Sequence, residues 1–145
     1  MKYAYSFVHE CLPLIFSPLF SCFMCLAGHY AEFSGYWETT SFLSEIDRSK
    51  PVHFYDSNTG KLLFTAPIGR SWDDFLDESK HHGWPSFRDQ EVNWENVRVL
   101  PDGETVSVDG THLGHNIPDR TGRRYCINLV SVAGNSMESS GRRDL

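Results

Sequence analysis

Two pairs of short apolar runs, each interrupted by a turn-forming segment, limit the folds that this chain can adopt. Val52–Asp56 and Lys61–Ala66 flank the tetrapeptide Ser-Asn-Thr-Gly, and Val97–Leu100 and Glu104–Val108 flank Pro-Asp-Gly. This spacing is typical of β-hairpins. The predicted fold class is therefore mainly β and antiparallel, and no segment has the pattern of a βαβ unit.

The segments around these hairpins fit one compact domain, which is also what 145 residues suggest. A capping-box pattern that begins at Ser71 predicts a short helix running to about Lys80. Gly, Pro and His residues predict loops over His81–Phe87 and Gly110–Gly122. Arg124–Val132 is rich in β-branched and aromatic residues and is predicted as a strand.

The N-terminal segment differs from the rest of the chain, because Cys11 to Ala31 contain no Asp, Glu, Lys or Arg. We interpret residues 1–28 as a signal peptide or apolar leader, which predicts the secretory pathway, either the endoplasmic reticulum or export. A membrane anchor is the competing interpretation, and a wrongly assigned start of the coding sequence would leave a cytoplasmic protein. The domain is predicted over 29–136, followed by a polar, flexible tail over 137–145.

Charge and cysteine content exclude some classes of protein. The net charge of -6 argues against a nucleic-acid partner bound through a basic face. Three of the four cysteines lie in the apolar leader, including the pair Cys22-x-x-Cys25, so their context is a leader rather than a redox or zinc site. Cys126 is the one cysteine in the predicted globular part. We also expect the protein to be a monomer.

Cys126 is the first candidate for chemistry. On a strand, Arg124 and Asn128 project to the same face as Cys126, since side chains alternate with a period of two. A guanidinium beside a thiol stabilises the thiolate and lowers its pKa. Three polar or reactive side chains on one face of an apolar strand are more typical of a site than of a core.

Two further motifs lie in the predicted loops. His112, His115 and Asp119 could ligate a metal, or could supply a proton donor with an orienting carboxylate, and their spacing leaves both possibilities open. Trp84, followed by Pro85 in a Gly-flanked loop, is either a structural plug or an aromatic wall for a small apolar group.

Together, GWPSF at Gly83–Phe87, HLGH at His112–His115 and RYCIN at Arg124–Asn128 resemble the methionine-R-sulfoxide reductases, the B-type peptide methionine sulfoxide reductases. The resemblance covers about residues 33–134. It implies a fold of two antiparallel sheets with one or two short helices. It also implies an oxidoreductase that repairs oxidative damage by reducing peptidyl methionine R-sulfoxide to methionine, with oxidised proteins or peptides as partners.

The resemblance also implies roles for individual residues. Cys126 attacks the sulfoxide sulfur and becomes a sulfenic acid, and Arg124 favours its thiolate. His112 and His115 polarise or protonate the departing oxygen. Asp119 and Asn128 orient the hydrogen bonds of the site. Trp84 and Phe87 bind the substrate.

The chain departs from the family pattern at two places. Many members bind zinc through two Cys-x-x-Cys pairs, and those four positions hold other residues here, namely Asp56, Thr59, Val106 and Asp109. Zinc is therefore not expected, nor is any other cofactor. The usual recycling cysteine is replaced by His82. An external thiol reductant such as thioredoxin or glutathione must then regenerate Cys126.

Two other functions remain open on the sequence. One is a metal-dependent enzyme that uses His112, His115 and Asp119. The other is a non-catalytic secreted binding domain of the same fold, against which the presence of Cys126 and Arg124 argues.

Overall fold

The computed structural model describes residues 32–132, which form a single, mainly β domain with two antiparallel sheets. The first sheet is a hairpin of β1 (Val52–Tyr55) and β2 (Leu62–Ala66). The second has five strands in the order β3-β7-β6-β5-β4. Its strands are β3 (Ser86–Arg88), β4 (Val97–Val99), β5 (Glu104–Ser107), β6 (His112–Asn116) and β7 (Arg124–Ile127). The predicted fold class and both predicted hairpins are confirmed.

Helices are few and short in the part of the chain that the structure describes. They are α1 (Phe42–Glu45), α2 (Trp72–His82) and α3 (Leu129–Val132), with 3-10 turns at Tyr36–Thr39 and Asp89–Glu91. The predicted helix is α2, and the side chains of Ser71 and Asp74 form the capping box at its start. Among the helices of residues 32–132, none has the length and apolar character needed to cross a membrane.

Parts of both predicted loops and part of a predicted strand are wrong, whereas residues 83–85 and 117–122 are loops as predicted. His81 and His82 end α2, and Ser86–Arg88 forms an edge strand. His112–Asn116 is a strand in the middle of the five-stranded sheet. In the segment 124–132, which was predicted as one strand, the strand ends at Ile127 and the helix α3 begins at Leu129. Pairing with neighbouring strands, rather than local propensity, fixes β3 and β6, and such pairing is not visible in a short sequence window.

Aromatic side chains join the two sheets. The Phe87 ring stacks on Phe64 of the hairpin with centroids 4.3 Å apart and meets the edge of Phe54 at 5.0 Å. Phe75 of α2 approaches the same ring at 5.4 Å. All four side chains are buried, and burial of each stabilises the fold by about 1.5–3 kcal/mol. This packing fixes the orientation of β3, so that Ser86 projects from the other face of the sheet.

The predicted leader over 1–28 and tail over 137–145 lie outside the described residues, as do the ends of the predicted domain. These boundaries, and the cellular location inferred from them, stay predictions.

Candidate active site

Cys126 lies in a row of three side chains that crosses three strands. In the register of the five-stranded sheet, Cys126 of β7 pairs with Ser86 of β3 on one side and with His115 of β6 on the other. Residues directly opposite each other in antiparallel strands project from the same face. The Ser86 Oγ lies 3.8 Å from the Cys126 Sγ. The sequence analysis missed Ser86, because its segment was predicted as a loop.

An irregularity between β5 and β6 brings the two histidines together. Thr105 pairs with Gly114, but the next residue of β5, Val106, pairs with His112, so that Leu113 is the extra residue of a β-bulge. Residues three apart on a regular strand would face opposite sides. The bulge restores His112 to the side of His115, and the ring centroids of the two histidines are 5.8 Å apart.

Glu104 fixes the His112 ring. The His112 Nδ1 lies 2.9 Å from the Glu104 Oε1, and because a carboxylate only accepts hydrogen bonds, Nδ1 is the donor. The Nε2 atom at the other side of the ring is buried and has no hydrogen-bond partner within the described part of the chain. The hydrogen bond at Nδ1 therefore orients the ring, and Nε2 is available to bind a ligand. Glu104 was also missed, since it lies eight residues from His112 and only the register brings them together.

Gly114 lets β6 approach β7 closely. A Cβ atom at this position would lie 1.9 Å from the carbonyl oxygen of Cys126, which is backbone and cannot move aside. The glycine of the HLGH motif is therefore required by packing, and it holds the histidine strand against the cysteine strand.

The protonation of Cys126 differs from the expectation. The side chain is only 1% exposed, and burial raises the pKa of its thiol above the usual range. The Arg124 charge and the Ser86 hydroxyl act in the opposite direction but do not outweigh burial. Arg124 therefore lowers this pKa as expected, but burial, which sequence spacing does not show, raises it by more.

Arg124 and Asn128, two residues before and two residues after Cys126, are both buried. The Asn128 amide Nδ2 donates to the carbonyl of Leu113 at 3.1 Å, which ties it to the bulge, and its Oδ1 is buried without a partner among residues 32–132. Asn128 thus belongs to the same cluster of buried polar groups as His112.

Asp119 has a different environment from the predicted one. Its carboxylate accepts hydrogen bonds from both terminal nitrogens of Arg88, at 2.7 and 3.1 Å, and from the Thr121 hydroxyl at 2.7 Å. The Arg88 guanidinium, followed by Thr121, holds the pKa of Asp119 well below its usual range. These contacts anchor the loop between β6 and β7 to β3.

The structure also bears on the predicted metal triad. Within residues 32–132, the group whose possible ligand atoms lie within 4.8 Å of one another is Glu78, His82 and Asp119, and it does not include His112 or His115. Both of its carboxylates already accept hydrogen bonds from Arg88. The triad of His112, His115 and Asp119 is therefore not assembled as metal ligands.

Trp84 and Phe87, the two predicted substrate contacts, have different environments. Trp84 is partly exposed, and its indole Nε1 donates to the backbone carbonyl of Glu32 at 3.3 Å. Phe87 is fully buried in the aromatic core. It pairs with Tyr125 rather than with Cys126, so it supports β3 from behind and does not line the face that carries Cys126.

Glu32 is a buried acid that sequence reasoning did not single out. Its Oε2 accepts a hydrogen bond from the Val130 amide at 3.3 Å. Burial outweighs the contacts with the Leu129 and Val130 amides and raises the pKa of Glu32 to about 7. Glu32 thereby connects the first described residues to α3, next to Trp84.

The four positions of the family's zinc cysteines do not fit zinc. Asp56 is fully buried and accepts hydrogen bonds from the Thr111 hydroxyl at 3.0 Å, and Asp109 forms an ion pair with Lys61 at 3.0 Å. Both carboxylates are occupied by protein donors, and Thr59 and Val106 supply no thiolate. These polar contacts tie the hairpin to the loop between β5 and β6.

Comparison with known proteins gives a partial relative. Over 71 residues the chain is 38% identical to the peptide methionine sulfoxide reductase MsrB of Methanosarcina mazei, a match that covers 41% of this chain and 50% of that protein. The chain therefore spans about half the length of this relative. No protein-family model matches the chain, and no solved structure does. The similarity points to the methionine sulfoxide reductase B family.

Proposed function

We propose that this protein reduces peptidyl methionine R-sulfoxide to methionine by attack of the Cys126 sulfur on the sulfoxide sulfur. The observation that carries the proposal is the row of Ser86, Cys126 and His115, together with the His112 ring that Glu104 orients toward the same side. The partial similarity to an MsrB supports the same reaction class.

The step is a two-electron transfer with one oxygen. The Cys126 sulfur attacks the sulfoxide sulfur, and the oxygen then passes from the methionine sulfur to the Cys126 sulfur as the transient bond between the two sulfurs breaks. Cys126 is thereby oxidised to a sulfenic acid, and the sulfoxide is reduced to the thioether. The proton of the thiol accounts for the sulfenic acid hydrogen, and the methionine leaves as a neutral molecule. No external oxidant or reductant takes part until the sulfenic acid is removed.

Negative charge develops on the sulfoxide oxygen as its bond to sulfur breaks, and this is where His112 acts. When the ring is protonated, its Nδ1 stays on Glu104 and its buried Nε2 offers a second N–H. A donor that is already oriented and shielded from water stabilises such charge more than one in bulk solvent. His115, directly opposite Cys126, is the second donor, and Asn128 completes the polar cluster.

Trp84 is the contact for the sulfoxide methyl group in this proposal. It is partly exposed, precedes β3 and is tethered by its indole N–H to Glu32. Aromatic rings pack favourably against the thioether and methyl groups of methionine. Phe87 is left out of substrate binding, because it faces the core.

The sulfenic acid requires a second thiol, and Cys126 is the only cysteine among residues 32–132. We therefore propose an external reductant, either a small thiol such as glutathione or a thioredoxin-like protein. Oxidised proteins or peptides are the substrates, and the protein acts as a monomer. Its placement in the secretory pathway is a further proposal that rests on the leader alone.

Turnover of the two sulfoxide epimers of an N-acetylated methionine amide, with dithiothreitol as reductant, tests the function. We expect methionine from the R epimer and negligible methionine from the S epimer, since each epimer has its own enzyme class. Cys126→Ser should abolish turnover, whereas a variant with Cys11, Cys22 and Cys25 all replaced by serine should retain it. Equal rates on both epimers, or turnover without Cys126, would falsify the proposal.

A further inference from the structure

Arg124 is a buried cation with two side-chain N–H groups that have no acceptor among the described residues. The residue is 6% exposed, and its Nε and Nη1 atoms are buried with no hydrogen-bond partner in the part of the chain that the structure describes. Buried guanidinium groups are ordinarily paired, because an unpaired N–H loses its water without gaining an acceptor. Two such groups on one side chain indicate a position prepared for an anion.

The two neighbouring arginines show the opposite pattern. Arg88, the direct cross-strand partner of Arg124 in the β3–β7 register, donates to Asp119 and Glu78. Arg70 donates to Glu91 at 2.7 Å and to Glu78. These two arginines are thus paired with three carboxylates. Their oxygen atoms, however, are directed at Arg70 and Arg88, and the Nε and Nη1 groups of Arg124 have no acceptor among residues 32–132.

Arg124 is also close to the reacting sulfur. It precedes Cys126 by two residues on β7, which places it on the same face of the sheet with its Cα about 7 Å away. Burial raises the pKa of the Cys126 thiol, which favours the neutral thiol over a thiolate that could pair with Arg124. The sulfoxide side chain carries no net charge either, and in the proposed function its oxygen accepts hydrogen bonds from the histidines on β6.

We propose that Arg124 binds the carboxylate of a small anionic thiol and thereby selects the reductant that regenerates Cys126. This inference rests on the proposed function for its biological context. The sulfur of the thiol attacks the Cys126 sulfenic acid, forms a mixed disulfide and releases water. A second thiol then attacks this disulfide, returns the Cys126 thiol and leaves with the first as a small disulfide.

Three thiols of similar size and different charge test the selection. They are 3-mercaptopropionate, which is anionic, 2-mercaptoethanol, which is neutral, and cysteamine, which is cationic. The rate constant for regeneration of Cys126 is measured with each and divided by the rate constant of the same thiol with a small disulfide. A charge-assisted hydrogen bond corresponds to roughly tenfold or more in rate, so we expect that preference for 3-mercaptopropionate over 2-mercaptoethanol.

Arg124→Gln should remove this preference. Arg120→Gln is the matched control, because it makes the same charge change at an exposed position in the loop before β7, and it should retain the preference. A protein that uses the three thiols in proportion to their solution reactivity, or that keeps its preference in Arg124→Gln, would overturn the inference.

A second measurement is independent of sulfoxide reduction. Alkylation of reduced Cys126 by iodoacetate and by iodoacetamide is followed on the peptide that contains Cys126 by mass spectrometry. The ratio of the two rates cancels the thiolate fraction, so an effect of Arg124 on the thiol pKa alone leaves it unchanged. We expect the ratio to exceed that of free cysteine by about tenfold, to fall to the free value in Arg124→Gln and to persist in part in Arg124→Lys.

The two measurements separate this inference from the proposed function. A raised iodoacetate ratio without methionine formation rejects sulfoxide reduction and supports the anion site. Methionine formation with an ordinary ratio rejects the anion site. If Arg124→Gln does not fold, protection of the unmodified protein against iodoacetamide replaces it. Propionate should then slow the alkylation and propionamide should not, and equal protection by both would contradict the inference.

Discussion

The two faces of strands β3 and β7 are built from adjacent residues and have opposite characters. On one face, Phe87 stacks in the aromatic core and the Tyr125 hydroxyl donates to Asp89 at 2.6 Å. On the other, Cys126 lies near Ser86, and Arg124 has two buried N–H groups without acceptors in the described part of the chain. The two faces are equally buried, but only one is satisfied in its hydrogen bonding.

This difference identifies the functional face better than burial does. Buried polar atoms without partners destabilise a fold by about 1–3 kcal/mol each, and native proteins keep few of them. Among residues 32–132, His112 on β6, Arg124 on β7 and Asn128 directly after β7 contribute such atoms, and the aromatic core contributes one, the Trp37 Nε1. A face that was only structural would be packed like that of Phe87.

The substitution with the largest expected effect is on the aromatic face. Phe87→Ala should lower the free energy of unfolding by about 3–5 kcal/mol, because it removes the ring between the two sheets. The Michaelis constant of the fraction that folds should stay unchanged. Trp84→Ala should do the reverse, with a Michaelis constant raised on the order of tenfold and little loss of stability. Chemical denaturation and steady-state kinetics on both variants measure the contrast.

His112 tests the polar face. His112→Gln should lower kcat by about 10²–10⁴-fold, the usual contribution of a positioned proton donor, with an unfolding midpoint close to that of the unchanged protein. Glu104→Gln should give a smaller loss of kcat, because the ring keeps its chemistry and loses only its orientation. His53→Gln, at an exposed position on β1, is the control and should have normal kcat. A kcat unchanged in His112→Gln would remove this residue from the mechanism.

Much of this could be predicted from the sequence, and what could not has a physical reason. The hairpins and α2 depend on local turn and capping chemistry, which a short window contains. Strand β6 has a glycine at its centre and two histidines, and it is a strand because β5 and β7 pair with it on both sides. The assignment of Phe87 to the substrate failed for the same reason, since its face depends on the β3–β7 register.

The site residues divide in the same way. The motif spacing pointed to Cys126, His112 and Arg124, but the bulge that joins the histidines and the burial that raises the thiol pKa are products of tertiary packing. The contact between Glu104 and His112 connects two strands, and no sequence pattern marked it.

Glu32 provides a test through the pH dependence of the unfolding free energy. Its pKa is raised to about 7 by burial from an ordinary value of 4.5, so the contribution of its neutral form to stability is complete below about pH 4.5. That contribution is lost as the pH rises through 7, to a total of about 3 kcal/mol. The unfolding free energy relative to Glu32→Gln should therefore fall across this range.

The exposed Glu45 is the control for this measurement, and Glu45→Gln should leave the pH profile of the unfolding free energy as it is. Parallel profiles for the unchanged protein and Glu32→Gln between pH 4 and pH 8 would contradict the assignment of a buried, neutral carboxyl group beside Trp84.

A single turnover without reductant tests the central claim most directly. The reduced protein is mixed with excess methionine R-sulfoxide substrate, and methionine and the oxidation state of each cysteine are measured. We expect about one methionine per chain and a sulfenic acid that dimedone traps on Cys126, in the full chain and in the variant without Cys11, Cys22 and Cys25. No methionine, or dimedone on a cysteine other than Cys126, would contradict the account.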